Sequence, residues 1–172
     1  FLCDSLRMAV AAGIGAPDME RLMGLDIEAQ RRESHRPVNA LSTLADALPG
    51  LGIVAAVLGV VVTMQSLGGP ASEIGQKVAA ALVGTFLGIL LCYGVVGPLA
   101  YHLECRNESR SDFLHALRVG TVTFMTGASP LVAVEFTRRS LPPAVRPGFE
   151  EMEQAVRRAG YQPDPAPAVT HA

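Results

Sequence analysis

The sequence predicts an all-α membrane protein: a two-helix transmembrane hairpin from which long helices extend into the cytoplasm. Three observations predict it. No Asp, Glu, Lys or Arg occurs between Asp46 and Glu73, and none between Lys77 and Glu104, where only His102 can carry charge. Each stretch exceeds the ~20 residues that cross ~30 Å of hydrocarbon as a helix. Within them, Leu51 to Met64 and Val78 to Tyr101 are almost wholly apolar, and a chain of 172 residues has no core large enough to hide two such helices. Charged residues make up 17% of the chain, against a typical ~25%, and nearly all of them lie at its two ends.

The element order follows from local signals. Pro17, with Asp18 and Glu20 after it, starts a helix that carries Met19, Leu22, Met23 and Ile27 on one face. Pro37 is expected to end this polar segment before Leu41. The two spans come next, about 47–66 and 78–100. From Glu104 to Asp112 there is no aliphatic or aromatic residue, and the leucines on either side predict a long helix leaving the membrane. Ser129-Pro130 breaks it, Leu131 to Leu141 reads as another short helix, and Pro147 opens a last one with acidic residues early and Arg157 and Arg158 late. The expected organisation is a cytoplasmic helical segment over 1–45, the hairpin over 46–103, a second cytoplasmic helical segment over 104–160 and a disordered tail over 161–172.

Orientation follows from the arginines. Five precede the first span and eight follow the second, whereas Gln65 to Gln76 has no basic residue and only Lys77 at its edge. Basic residues stay inside, so both ends are expected in the cytoplasm and the loop outside. No signal peptide is expected, and a chain that opens on Phe1 is expected to be part of something longer.

Small residues mark one face of each span. Gly52, Ala56, Gly59 and Thr63 fall at i, i+4, i+7 and i+11, and Ala81, Thr85, Gly88 and Cys92 repeat the spacing. Gly84 and Gly88 add a small-xxx-small pair. Two readings stay open: the faces are helix–helix contacts and nothing more, or they flank a polar pathway whose only hydroxyls are those of Thr63 and Thr85. Pro49 and Pro98 stand at the cytoplasmic ends of the spans, either as local kinks or as paired hinges.

Several functions are excluded by chemistry. The net charge of −2 gives no case for nucleic-acid binding. Cys3, Cys92 and Cys105 form no disulfide framework, the four histidines show no metal spacing, and no phosphate-binding loop, dinucleotide turn or nucleophile elbow is present. Neither a metal nor a cofactor is expected, and no enzymatic activity. No carboxylate, lysine, arginine or histidine sits at membrane depth, although proton relays depend on such groups. If protons cross beside this hairpin, a partner supplies the acid.

The run 44–60, Leu-Ala-Asp-Ala-Leu-Pro-Gly-Leu-Gly-Ile-Val-Ala-Ala-Val-Leu-Gly-Val, closely resembles the third membrane helix of the flagellar stator family of MotA, within the wider MotA/TolQ/ExbB proton channels. Leu82 to Leu91, Tyr93-Gly94 and Gly97 to Ala100 resemble the family's fourth helix. Residues 130–139 and 146–153 are similar to its C-terminal cytoplasmic segment, and Phe1 to Arg7 to the region before the third helix. The four motifs occur in order and cover the chain to about residue 158. The family's first two membrane helices and its charged rotor-contacting stretch have no counterpart here, so no rotor-contact residue is assigned.

The resemblance implies a subunit of a ring in the bacterial inner membrane, self-associated around a MotB-type partner whose single helix supplies an aspartate. Ion flow then turns the ring against a rotor protein of the flagellar switch, of the FliG type. It implies that Pro49 and Pro98 couple ion passage to movement of the cytoplasmic part, and that Thr85 lies near the partner's aspartate. Ala56 stands where sodium-driven relatives carry threonine, which favours protons. Two other readings compete: an ExbB/TolQ-type subunit energising outer-membrane processes, and a structural hairpin without transport. Asp46-Ala-Leu-Pro-Gly-Leu and Ala133-Val-Glu-Phe favour the flagellar branch.

Overall fold

The structure, a computed structural model, describes residues 1–65, 68 and 70–160. Among these, the regular elements are all helices: α1 (Leu2–Ala12), α2 (Ala16–Met64), α3 (Ala71–Leu91), α4 (Gly97–Met125), α5 (Pro130–Ser140) and α6 (Phe149–Arg158), with a π-helical turn at Cys92–Val96 joining α3 to α4. Helix runs unbroken from Ala71 to Met125. The expected disordered tail, and residues 66, 67 and 69 of the loop, lie outside the described residues.

Two compact units divide the chain. The first comprises residues 1–31 and those from 108 onward. Its interior is built on Met19 and Met23, both fully buried, with Ala116, Ala133 and Met152. The methionines are those the helical spacing placed on the inner face, and their flexible thioethers suit an interior otherwise made of small alanines. Gly24 makes room for the Arg118 guanidinium, which pairs with Glu20 at 2.8 Å. α5 starts where expected, with Ser129 as its cap accepting from the Val132 amide and Pro130 in its first turn. α6 begins two residues later than Pro147 predicts. Gly148 is its N-cap, and the Pro147 carbonyl instead accepts from Arg138 at 3.1 Å.

Glu135 organises this end of the chain. Its carboxylate takes a bidentate pair from Arg138, at 2.7 and 2.8 Å, and a third bond from Arg139 at 2.6 Å. Arg146 closes the turn after α5 by donating to the carbonyls of Arg139 and Leu141. The Arg138 hydrogen bond, reinforced by Arg139, holds the Glu135 carboxyl down to about 2. A carboxylate whose pKa is lowered on folding stabilises the fold above its unfolded value of 4.5, and this is lost as pH falls towards 2. Glu135→Gln is therefore expected to flatten the acid limb of the thermal-stability profile between these values. An unchanged limb would show the cluster contributes nothing to folding.

The second unit, residues 32–107, is the hairpin. Its interior is narrow, with Val38, Ala45, Ala81, Cys92 and Ala100 buried. Only 11% and 17% of its most apolar windows are covered by the chain itself. Val54, Val57, Leu58, Val61, Leu82, Val83 and Phe86 stand outward and exposed. A soluble core helix would bury such side chains; here the chain itself leaves them uncovered.

Pro37 does not end the polar segment as expected. It lies inside α2, which continues to Met64. A proline in a helix interior removes one hydrogen bond and crowds the carbonyl four residues earlier, costing ~3 kcal/mol. Val38 beside it is buried, and the Asn107 amide, 73 residues away in sequence, reaches the nearby Ser34 carbonyl at 2.6 Å.

Candidate functional site

The small-residue faces meet each other. A methyl group added at Gly59 would lie 2.5 Å from the Ala81 Cβ; one at Gly52 would lie 2.9 Å from the Gly84 carbonyl and 3.1 Å from the Thr85 Cα. At Gly88 it would reach the Leu48 carbonyl at 2.6 Å. The backbones of α2 and α3 thus approach as closely as glycine allows, the way helices associate where no hydrophobic effect drives them together. Gly52, Gly59, Ala81, Gly84, Thr85 and Gly88 lie together along this seam. Ala56 is half-buried, and Gly84 faces Ala55 rather than Ala56, with 3.3 Å to the Ala55 Cβ for an added methyl. The helical spacing alone missed Ala55 and the Leu48 carbonyl, because the seam drifts around α2 along its length.

Both hydroxyls have defined donors' roles. Thr63 is buried and donates to the Gly59 carbonyl of its own helix at 2.7 Å. Thr85 donates across the seam to the Gly52 carbonyl at 3.3 Å. A threonine hydroxyl has one proton and two lone pairs. With the proton turned to a carbonyl, each of these oxygens keeps its lone pairs as acceptors for a newcomer.

Beyond Gly88 the second helix leaves regular α geometry. Gly97 donates to the Cys92 carbonyl five residues earlier, the signature of the π-turn, and a methyl at Gly97 would lie 2.9 Å from that oxygen. Pro98 follows, half a turn into α4, without an amide proton of its own and with a ring that would collide with the Gly94 carbonyl in a regular helix. The wider turn relieves the collision. Pro98 is exposed and Pro49 half-buried. A cavity of about 230 Å³ opens beside the π-turn, lined among others by Ser42 and Asp46 of α2, Tyr93 and Gly97, and Tyr101 and Glu104 of α4. Asp46 and Glu104 were not singled out as a pair by the sequence; the Gly97-Pro98 dipeptide was the available sign of irregular backbone between them. Among the described residues no group of His, Cys, Asp and Glu could hold a metal ion.

Comparison with known proteins places this geometry. Residues 1–114 match the MotA/TolQ/ExbB proton channel family. Motility protein A of Escherichia coli K12 is 41% identical over 157 residues, covering 91% of this chain and 53% of that protein. The chain therefore spans about half the length of the curated relative it matches. Its fold is similar to that in a solved structure of C. jejuni MotAB, with a TM-score of 0.76 at 17% identity, covering 86% of this chain and 57% of that one. It is also similar to the flagellar MotAB stator complex of Bacillus subtilis, with a TM-score of 0.72 at 22% identity over 88% and 57% of the two chains. This chain has two helices long and apolar enough to cross a membrane, packed through a glycine seam, and it belongs to the MotA/TolQ/ExbB proton channel family.

Proposed function

We propose that this chain is part of an ion-driven flagellar stator subunit. With a MotB-type partner it conducts protons across the bacterial inner membrane and converts the flow into torque on a FliG-type rotor protein. Copies of the chain associate in a ring around the partner. Both ends lie in the cytoplasm, the spans run over about 47–66 and 78–100, and the arginine distribution supports that orientation. The observation that carries the reading is a hairpin with no acid, lysine, arginine or histidine within its spans, whose seam presents the Thr85 oxygen as an acceptor.

The mechanism follows from proton bookkeeping at that oxygen. An ionised partner aspartate is an acceptor only and can take the Thr85 proton only by drawing it from the Gly52 carbonyl, whereas the protonated acid can use the Thr85 oxygen without disturbing that bond. The protonated acid donates to Thr85 and is stabilised beside it. Thr85 therefore favours the neutral form at membrane depth, where an unpaired charge is costly. Release of the proton towards the cytoplasm ends that interaction, and Pro49 and Pro98 pass the change to the cytoplasmic helices. Thr63 repeats the acceptor arrangement one stage nearer the outside.

Ala56 contributes by lacking an oxygen. Sodium shed of its water needs several oxygen ligands, and the face from Gly52 through Ala56 to Gly59 has no side-chain oxygen before Thr63. Cells whose motility depends on the full-length protein are expected to swim at unchanged speed when sodium is replaced by potassium, and to stop when a protonophore is added. Speed that follows sodium and survives the protonophore would overturn the proton reading.

A further inference from the structure

The cavity beside the π-turn lies between two places where the helices are fixed to each other. On one side is the seam, where Gly88 meets the Leu48 carbonyl and Gly52. On the other, the Asn107 side chain donates from α4 to the Ser34 carbonyl of α2 at 2.6 Å. Ser34 and Asn107 stand at the two limits of the compact unit 32–107, so this bond closes the hairpin at its far end. It also falls where α2 is weakest, because Pro37 gives no amide proton to its own helix. The π-turn and Pro98 on one arm of the pair, and Pro37 on the other, lie between the two fixed points.

We propose that Asn107 is a positioning residue for torque generation: its amide pins α4 to α2 so that the two helices bend together when the groups between the pins change charge or hydration. The inference rests on the stator reading above. A helix pair held only at the seam pivots about it, and displacement at the cavity spreads the two ends apart. Held at both places, the same displacement bows the pair, and the helices leaving it turn in one direction. The pin requires a donor, since its target is a backbone carbonyl that can only accept. Asn107→Asp keeps the shape but replaces the donor with a negative acceptor, and Asn107→Leu keeps the bulk without any polar atom. Asn107→Gln keeps the amide on a longer arm.

The test uses the full-length protein with its partner subunit in a strain lacking its own copy. Three quantities are read: copurification with the partner, proton leak through the complex, and torque on a tethered cell. Asn107→Leu and Asn107→Asp are expected to copurify and leak protons as the parent does while torque is lost, and Asn107→Gln to recover it. Parent-level torque in the Leu and Asp variants overturns the inference. So does loss of copurification in both, which would make Asn107 a folding residue, and so does a Gln variant as inactive as Leu. A parent protein that copurifies yet gives neither leak nor torque would instead defeat the stator reading, and it needs no variant to be seen.

Discussion

Gly88→Val is expected to break the hairpin. The added Cβ would sit 2.6 Å from the Leu48 carbonyl and 3.2 Å from the Gly52 Cα, both backbone atoms that cannot rotate away. Overpacking of this kind costs ~1–3 kcal/mol when the surroundings can shift, and here the surroundings are a second helix held along the whole seam. The full-length variant, solubilised with its partner, should melt at lower temperature and lose its partner. Val61→Leu enlarges a side chain on the exposed face of α2 and should change neither. A Gly88→Val protein with the parent's melting midpoint would mean the two helices are not in contact there.

Pro98→Ala is expected to act in the opposite sense on stability while removing function. Alanine supplies the missing amide proton and removes the ring that the wide turn accommodates, so the π-turn can relax into regular helix with a gain in stability. The cavity beside it depends on that wide turn for one of its walls, through Tyr93 and Gly97. Membrane insertion and partner binding should persist, and cells carrying the full-length variant should fail to swim. Normal swimming would reduce Pro98 to a local irregularity. The two variants separate what holds the hairpin together from what moves it.

The parts of the fold legible in the sequence are those fixed by short-range pattern. The charge-free runs gave the spans, and the repeat Gly52, Gly59 against Ala81, Gly88 gave the faces that meet, because a helix returns to the same side every seven residues. What could not be read depends on partners distant in sequence. Pro37 reads as a helix end to any local rule; α2 nevertheless continues through it, with Val38 beside it buried and the bond from Asn107 to Ser34 nearby. The π-turn needs both a glycine that can sit close to the Cys92 carbonyl and a proline after it, and only the second has an unambiguous sequence signal. The threonines were visible as hydroxyls, but not how their protons are used. Thr63 turns inward to its own helix, and Thr85 reaches to a carbonyl 33 positions away.

A seam of glycine and alanine also constrains how such a chain can drift. Glycine has no smaller neighbour, so every substitution at Gly52, Gly59 or Gly88 is an enlargement, and none can be neutral by shrinking. Repair by a second change is almost closed as well. Gly59 faces Ala81, where alanine can still become glycine and return one methyl of space. Gly88 faces the Leu48 carbonyl and the Gly52 backbone, and no codon change removes a peptide group. Gly88, where backbone meets backbone, is thus the position for which the opposite helix holds no compensating move.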